Sequence, residues 1–402
     1  KTNVTGTLLV ISMTAMIVLS VLPVRRVAFQ LWLYSHIILA TTALIVCFLH
    51  NVTTVVFVLL WWVLDLSIRY LLMAAFRYHA VSTATLEILC HEGENDRPIV
   101  QITLPKPDGF DYLPGQFVQL AIPSISLFQY HPVSISSAPH EDTVTFQIRA
   151  LGDWTDCLVD LAASGTKQTT VMMEGPYGAL SVDLDDPQRY KTVLLVGGGI
   201  GNTHCESVGK SLLHDHECHG RPLTHLRYVW TVRQLSMPND MPPLGGYQPP
   251  QPLYAPGTPK TAASRSPDPL MRQPTHATEV DDASNSMHSI PPPPPPPQAT
   301  VNIDVYCTRE DVEDAASVDN GHDDDGGAIR YHLGIRPDLD AILEEMKETA
   351  LANGESNVAV IGCGPGGMME GLRDACRKHS TSVVGCGGKV VFFDFHTERF
   401  EF

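Results

Sequence analysis

Positive charge is scarce in this chain. Its 27 Lys and Arg are outnumbered by 44 Asp and Glu, for a formal net charge of −17. A surface that grips nucleic acid needs clustered cations to neutralise phosphates, so that class of partner is excluded. Paired cysteines are missing as well. The nine present form no Cys-x-x-Cys, which argues against a zinc site or a disulfide framework and favours reduced cytosolic thiols. An initiating Met is also absent: the chain starts at Lys1 and enters an apolar run almost at once. A fragment or a processed chain is therefore expected, and 402 residues leave room for two or three domains.

Long apolar runs are what the N-terminal part does have. Val4–Leu22, Leu31–Leu49 and Val52–Met73 are candidate membrane spans. The first lacks a small-residue cleavage site and is followed directly by the second, so it reads as a span rather than a signal peptide. Arg25 and Arg26, then Arg69 and Arg77, place the first connection and the end of the third span in the cytosol. The His50–Thr53 turn then faces outward. So do the acceptor sequons Asn3–Thr5 and Asn51–Thr53, which lie too close to the membrane for glycosylation to be expected. Asp65 and Arg69 form an i,i+4 pair that neutralises itself near the inner boundary.

Within this apolar part, His36 and His50 are fourteen residues apart. At about 100° per residue they return to nearly the same helix face, about 21 Å apart along the axis. Imidazoles in a span are costly and usually functional. On spacing alone two readings stay open: axial ligation of two stacked haems, or a helix-interface residue and a boundary residue.

After Tyr78 the composition becomes that of a globular domain. Short β-type runs (TATLEIL, PIVQITL, GQFVQLAI, YHPVSIS, TVTFQIRA, TTVMME) alternate with turns, with one helical pattern at Trp154–Ala163. Such spacing predicts a small antiparallel barrel. From Lys191 the pattern changes. Thr192–Val196 is a continuous apolar strand entering Gly197-Gly198-Gly199-Ile200-Gly201, followed by a strand at His225–Val232. Asn357–Ile361 enters a second glycine turn, Gly362-Cys363-Gly364-Pro365-Gly366, and another strand is expected at Lys389–Phe395. Strand, glycine turn and helix twice over predict a doubly wound parallel sheet with phosphate-binding helix N-termini. Between them, 234–299 and 309–328 hold more than half of the 31 prolines, including Pro291–Pro297, and an acidic stretch around Asp311–Asp325. These stretches are expected to be disordered, with Thr300–Thr308 belonging to the sheet. Polyproline is a ready ligand for SH3 or WW domains, although a tolerated surface insertion is the simpler reading.

His131-Pro132-Val133-Ser134-Ile135-Ser136-Ser137, then Arg149, Gly152-Asp153-Trp154-Thr155 and Glu174-Gly175-Pro176-Tyr177-Gly178 resemble, in order and spacing, the flavin domain of the ferric reductase and NADPH oxidase superfamily of transmembrane flavocytochromes. Val196–Thr203 resembles that family's pyridine-nucleotide loop, with His204 where the family commonly has Pro. Trp230, Arg233 and Arg336-Pro337-Asp338 resemble further nucleotide contacts. The resemblance covers nearly all of the chain outside the proline-rich insertion. It implies transmembrane helices (1–78), an antiparallel β-barrel flavin domain (80–188) and an α/β doubly wound nucleotide domain (190–402), ferredoxin-reductase-like in fold.

The implied cofactors are FAD, NADPH and b-type haem. For FAD, the resemblance implicates His131, Pro132, Val133, Ser134, Arg149, Thr155, Gly175, Tyr177 and Gly178. Ser134 would reach the reactive flavin nitrogen, Arg149 and the helix start at Thr155 the pyrophosphate. For NADPH it implicates Gly197, Gly198, Gly199, Ile200, Gly201 and Thr203, with Arg233 and Arg336 as cationic contacts. Cys363, Gly364 and Pro365 would lie beside the nicotinamide, and Phe400 or Phe402 would cover the flavin. His36 and His50 would each ligate a haem whose second axial His precedes Lys1. The expected protein is a multi-pass membrane enzyme, by preference of the plasma membrane, with cytosolic nucleotide domains. Thirteen residues between the two histidines resemble the family's metalloreductases more than its oxidases, which tend to have twelve, and so imply a ferric or cupric chelate as acceptor; a superoxide-generating oxidase is the alternative. A non-catalytic scaffold acting through its polyproline is the reading of another class.

Overall fold

The computed structural model describes residues 2–20, 29–50, 54–68, 78–89, 97–127, 129–165, 168–247, 299–309, 329–381 and 390–399. They belong to two compact units, Lys1–Tyr78 and His79–Phe402. The first unit holds α1 (Thr2–Leu19), α2 (Phe29–Leu49) and α3 (Thr54–Ser67). α1 and α2 pack along each other. The unit's buried side chains are small, Ser12, Ala43 and Val46, which lets helix backbones approach closely. Large apolar side chains point outward instead: Phe57 and Trp61 are each 74% exposed, a pattern suited to lipid.

Only Leu31–Leu49 is, among the described residues, long and apolar enough to cross a membrane; Asn3–Leu19 and Val55–Ser67 are shorter apolar helices. Of the three expected spans, one is thereby present at full length among the described residues. The parts of the outer two that would lengthen them, toward Leu22 and Met73, lie outside the described residues. So do Arg25, Arg26, Arg69, Arg77 and the Asn51 sequon, on which orientation and the Asp65–Arg69 pair depended.

The second unit begins with a six-stranded sheet of β1 (Tyr78–Leu89), β2 (Ile99–Pro105), β3 (Phe117–Ala121), β4 (His131–Ser134), β5 (Thr143–Arg149) and β6 (Gln168–Tyr177), in the order β4-β3-β6-β1-β2-β5. Burial alternates along β2 and β5, so Val100, Ile102, Phe146 and Ile148 form one inner face. α4 (Asp153–Ala163) closes that core with Trp154 and Leu158. The expected closed barrel is not what the ladders give. β4 and β5 are the two edges, and they are joined where Ser136 N donates to Thr145 O at 2.9 Å and Thr145 N to Ser137 Oγ at 3.1 Å. Two prolines in the stretch 132–139 limit how far β4 can continue as a donor strand.

The other sheet is parallel, with β7 (Thr192–Gly198), β8 (His225–Val232), β9 (Thr300–Cys307), β10 (Ile329–Leu333), β11 (Asn357–Gly364) and β12 (Phe392–Arg399) in the order β10-β9-β8-β7-β11-β12. β7 is buried at every position, as the continuous apolar run required. α5 (Asn202–His219) covers one face through Val208 and Leu212. α7 (Leu339–Ala352) and α8 (Gly366–Thr381) cover the other through Leu343, Met346 and Leu372. The order turns back between β7 and β11, so the C-terminal ends of those two strands flank the switch point where α/β sheets bind ligands.

Two boundaries differ from expectation. The last strand starts at Phe392 and extends to Arg399. The expected disorder from residue 234 is overturned over 234–247, where α6 (Ser236–Asp240) and a 3-10 turn bury Met237, Met241 and Leu244 in the core. Proline and glycine content masked three core side chains there. Pro291–Pro297 and Asp311–Asp325 lie outside the described residues.

Candidate functional site

The two flavin-type motifs, around Ser134 and Tyr177, meet across β3. Phe117 pairs with Ser134 on one side and with Tyr177 on the other. Gly178, at φ +87, has the Phe117 ring where a β-carbon would sit, at 3.2 Å, so only glycine lets the chain pass. Tyr177 donates its hydroxyl proton to Glu174 at 2.5 Å, and Gln116 Nε2 donates to Gly178 O at 2.7 Å. Along β4, Pro132 is exposed and Val133 buried, while His131 and Ser134 are half-buried. The His131 ring lies 4.2 Å from the Trp154 ring, and burial pushes its pKa down. A neutral imidazole packed on indole therefore holds the start of the strand to α4.

Thr155 is not a free phosphate donor. Its hydroxyl accepts from Leu151 N at 2.8 Å and Gly152 N at 2.9 Å and donates to Gly152 O at 2.7 Å. The helix itself starts at Asp153, with Asp153 and Asp156 in its first turn. Thr155 shapes the turn after Arg149, and the amides of the helix start are the groups left to meet an anion.

A cleft of about 670 Å³ lies at the C-terminal ends of β7, β8 and β11. It gathers Arg149 from the flavin-type sheet, Gly198, Gly199 and Ile200 from the first glycine turn, Arg233 from the end of β8, Arg336 before α7, and Gly364 and Pro365 from the second turn. Three cations on one concave surface of a chain with net charge −17 suit a bound anion and are not part of a general basic face. Two helix N-termini border it as well: Leu339 opens α7, which is capped by Asp338 accepting from Ala341 N at 3.1 Å, and Gly367 lies in the first turn of α8.

The glycine turns are in contact with each other. A β-carbon on Gly201 would overlap the Cys363 carbonyl, and one on Gly198 would sit 2.7 Å from Pro365 Cδ. Trp230 Nε1 donates to Gly199 O at 2.9 Å and Thr203 Oγ1 to Ile200 O at 3.1 Å, which pins the first turn. Gly197 and Gly201 lie under the cleft rather than in its wall, as does Cys363, which has no exposed surface. Burial raises the Cys363 thiol pKa far above its usual range, so it sits there as a neutral thiol. Phe400 and Phe402 lie outside the described residues.

Cleft residues that sequence reasoning passed over include Thr231, Met237, Thr308 and Met368. Thr231 and Thr308 follow from position, at or just past the ends of parallel strands, once the strand order is known. Met237 sits in the segment expected to be disordered. Between the two sheets, Ser207 of α5 donates to Ser137 O at 2.7 Å, and the buried Tyr112 hydroxyl meets Ser137 Oγ and Ala138 O, both at 2.9 Å. Burial lifts the Tyr112 pKa to about 12, so it remains a donor.

In the first unit, His36 and His50 both belong to α2 and its final turn, since His50 N donates to Val46 O at 2.8 Å. The His50 Nδ1 meets Thr5 Oγ1 of α1 at 2.6 Å, which fixes the ring and leaves Nε2 for another partner. His36 stands 5.6 Å from the Trp32 ring, and its Nδ1 is buried with no hydrogen-bond partner. A protein partner thus holds Nδ1 of His50, as is usual for a metal-ligating imidazole, whereas Nδ1 of His36 has none.

Comparison with known proteins bears on these sites. Residues 80–181 match the family described as FAD-binding domain, and residues 294–377 the ferric reductase NAD binding domain. Respiratory burst oxidase homolog protein B of Solanum tuberosum is 32% identical over 166 residues, 36% of this chain and 18% of that protein. Dual oxidase 1 of Canis lupus familiaris is 35% identical over 120 residues, 29% of this chain and 8% of that protein. Dual oxidase 2 of Homo sapiens is 28% identical over 244 residues, 58% of this chain and 15% of that protein. The matched stretch thus spans less than a fifth of each relative. A ferredoxin NADP+ reductase from Neisseria gonorrhoeae, solved with FAD and NADP, is similar at 14% identity with a TM-score of 0.45, over 80% of this chain and 98% of that one. The chain carries an FAD-binding and a nicotinamide-nucleotide-binding domain, and it belongs to the ferric reductase and NADPH oxidase superfamily.

Proposed function

We propose that this chain is the electron-input part of a membrane NADPH oxidase that takes electrons from NADPH on the cytosolic side and delivers them to O2 on the other. The observation that carries the reading is the cleft at the β7–β11 switch point, where Arg149, Arg233 and Arg336 converge with two glycine turns. The ferric chelate preferred on histidine spacing gives way to O2, because the curated relatives are respiratory burst and dual oxidases.

In this reading the turn at Gly197–Gly201, with Thr203, cradles a pyrophosphate on backbone amides. Arg233 and Arg336 hold the 2′-phosphate and so select NADPH over NADH. Gly364 and Pro365, backed by the neutral Cys363 thiol, give the nicotinamide a surface that approaches closely without presenting charge. On the flavin side, Ser134 supplies the hydrogen bond to the ring, Arg149 and the start of α4 hold the phosphates, and Tyr177 and Gly178 shape the slot. A terminal aromatic, Phe400 or Phe402, would cover the bound flavin. Bound FAD supplies the conversion of a hydride donor into single electrons, and haem supplies one-electron carriers. His36 and His50 would hold haem, with Thr5 orienting His50.

The test expresses the protein in membranes and supplies NADPH with a redox dye and, separately, a ferric chelate. Dye reduction suppressed by superoxide dismutase supports the oxidase; dismutase-insensitive chelate reduction with no superoxide contradicts it. The haem assignment has its own readout. Replacing His36 or His50 by Leu removes the reduced b-type spectrum, and full haem content in either variant sinks the ligand roles.

A further inference from the structure

His204 lies in the first turn of α5 with no exposed surface, and neither of its ring nitrogens has a hydrogen-bond partner. Its Nδ1 faces Glu398 Oε2 at 3.6 Å. From the same strand as Glu398, His396 presents Nε2 to the other carboxylate oxygen, also at 3.6 Å. One ligand atom from each of the three residues lies within 4.8 Å of the others. Four-coordinate zinc, with ligands about 2.0–2.2 Å from the ion, separates them by roughly 3.3 Å. A modest contraction of flexible side chains therefore closes the shell.

We propose that His204, His396 and Glu398 form a binding site for a zinc-class divalent cation, tying α5 to β12. Two imidazoles and a carboxylate suit a borderline-soft ion, with water as fourth ligand. Access is through Glu398, whose side chain is 30% exposed. Gly115 (φ +81) leaves room for the His204 ring, since a β-carbon there would lie 2.8 Å from His204 Cε1.

The proton on His396 needs a place to go. Ser181 N donates to Nδ1 at 3.1 Å, so in the empty site Nε2 carries the proton. An ion at Nε2 moves that proton to Nδ1, where Ser181 Oγ at 3.0 Å accepts it. Rotation of the imidazole takes Nδ1–H off the line of the Ser181 N–H, and that amide, on an exposed residue, is hydrated instead. No net proton is released from the three residues.

The test titrates the full chain, stripped by chelator, with Zn2+ against a chromogenic indicator, and with Co2+ for its visible spectrum. One tight equivalent and a tetrahedral Co2+ band are expected. Glu398→Gln and His204→Asn each weaken that equivalent by more than about 100-fold, beyond the loss typical of an outer-shell change. His379→Gln, in a separate cluster with Asp340 and Glu344, leaves it unchanged. If His204→Asn does not fold, the partly exposed Glu398→Gln decides. Unaltered binding in Glu398→Gln, no tight equivalent in the parent, or an octahedral Co2+ spectrum overturns the site. None of these readouts depends on electron transfer.

Discussion

Arg233 and Arg336 are both exposed side chains on the wall of one cleft, although 103 residues separate them in the chain. Each charge-assisted bond to a phosphate contributes about 1.5–3 kcal/mol. Arg233→Ala and Arg336→Ala should therefore each raise KM for NADPH by roughly tenfold to a hundredfold while leaving KM for NADH nearly unchanged. Steady-state dye reduction with the two nucleotides checks this, and equal losses for both would remove the 2′-phosphate assignment. A second residue-scale expectation concerns His225, 4% exposed at the start of β8 with both ring nitrogens unpartnered. Burial lowers its pKa, with nearby Arg227 and Arg330 adding to the shift and Glu345 opposing it. The unfolded chain then binds more protons than the folded one. Stability is thus intact above the ordinary His value of about 6.5 and falls as pH drops through the folded value. His225→Leu should flatten that acid loss, read as the shift in urea midpoint between about pH 7.5 and about pH 5.5.

At the scale of elements, the segment after β8 is bound to α5 by one close fit. A β-carbon on Gly209 would lie 2.5 Å from Leu244 Cδ2, and Leu244 itself is buried at φ +52. Leu244→Ala should cost about 2–4 kcal/mol through the cavity it leaves, and Gly209→Ala about 1–3 kcal/mol through overpacking. Because the two share one space, the double variant should be less destabilised than the sum. Thermal melts of all four proteins measure the coupling, and strict additivity would separate this segment from α5. The same segment shows where sequence reading failed. Met237, Met241 and Leu244 are isolated among prolines and glycines, with no period of two or three and a half to betray them. By contrast, Thr192–Val196 and Asn357–Ile361 announce themselves as unbroken apolar runs ending in glycine, and both became central strands.

At the scale of the whole molecule, local strings were legible and their meetings were not. His131–Ser137 and Glu174–Gly178 could be read one at a time, but only β3 brings Ser134 and Tyr177 to a common neighbour in Phe117. The glycine turns could be read singly as well. Their contact, with Gly364 against Gly198, depends on β7 and β11 being adjacent across 159 residues of chain. His204, His396 and Glu398 carried no sequence signal, because nearly 200 residues separate the first from the other two. If the proposed function holds, this fold passes electrons from NADPH to a bound flavin. The most direct measurement is anaerobic reduction of the FAD-loaded chain, followed at the flavin absorbance after mixing with NADPH or NADH. Bleaching by NADPH, at least about tenfold faster than by NADH at equal subsaturating concentration, is the predicted result. A chain that binds FAD and stays oxidised in excess NADPH would contradict the claim.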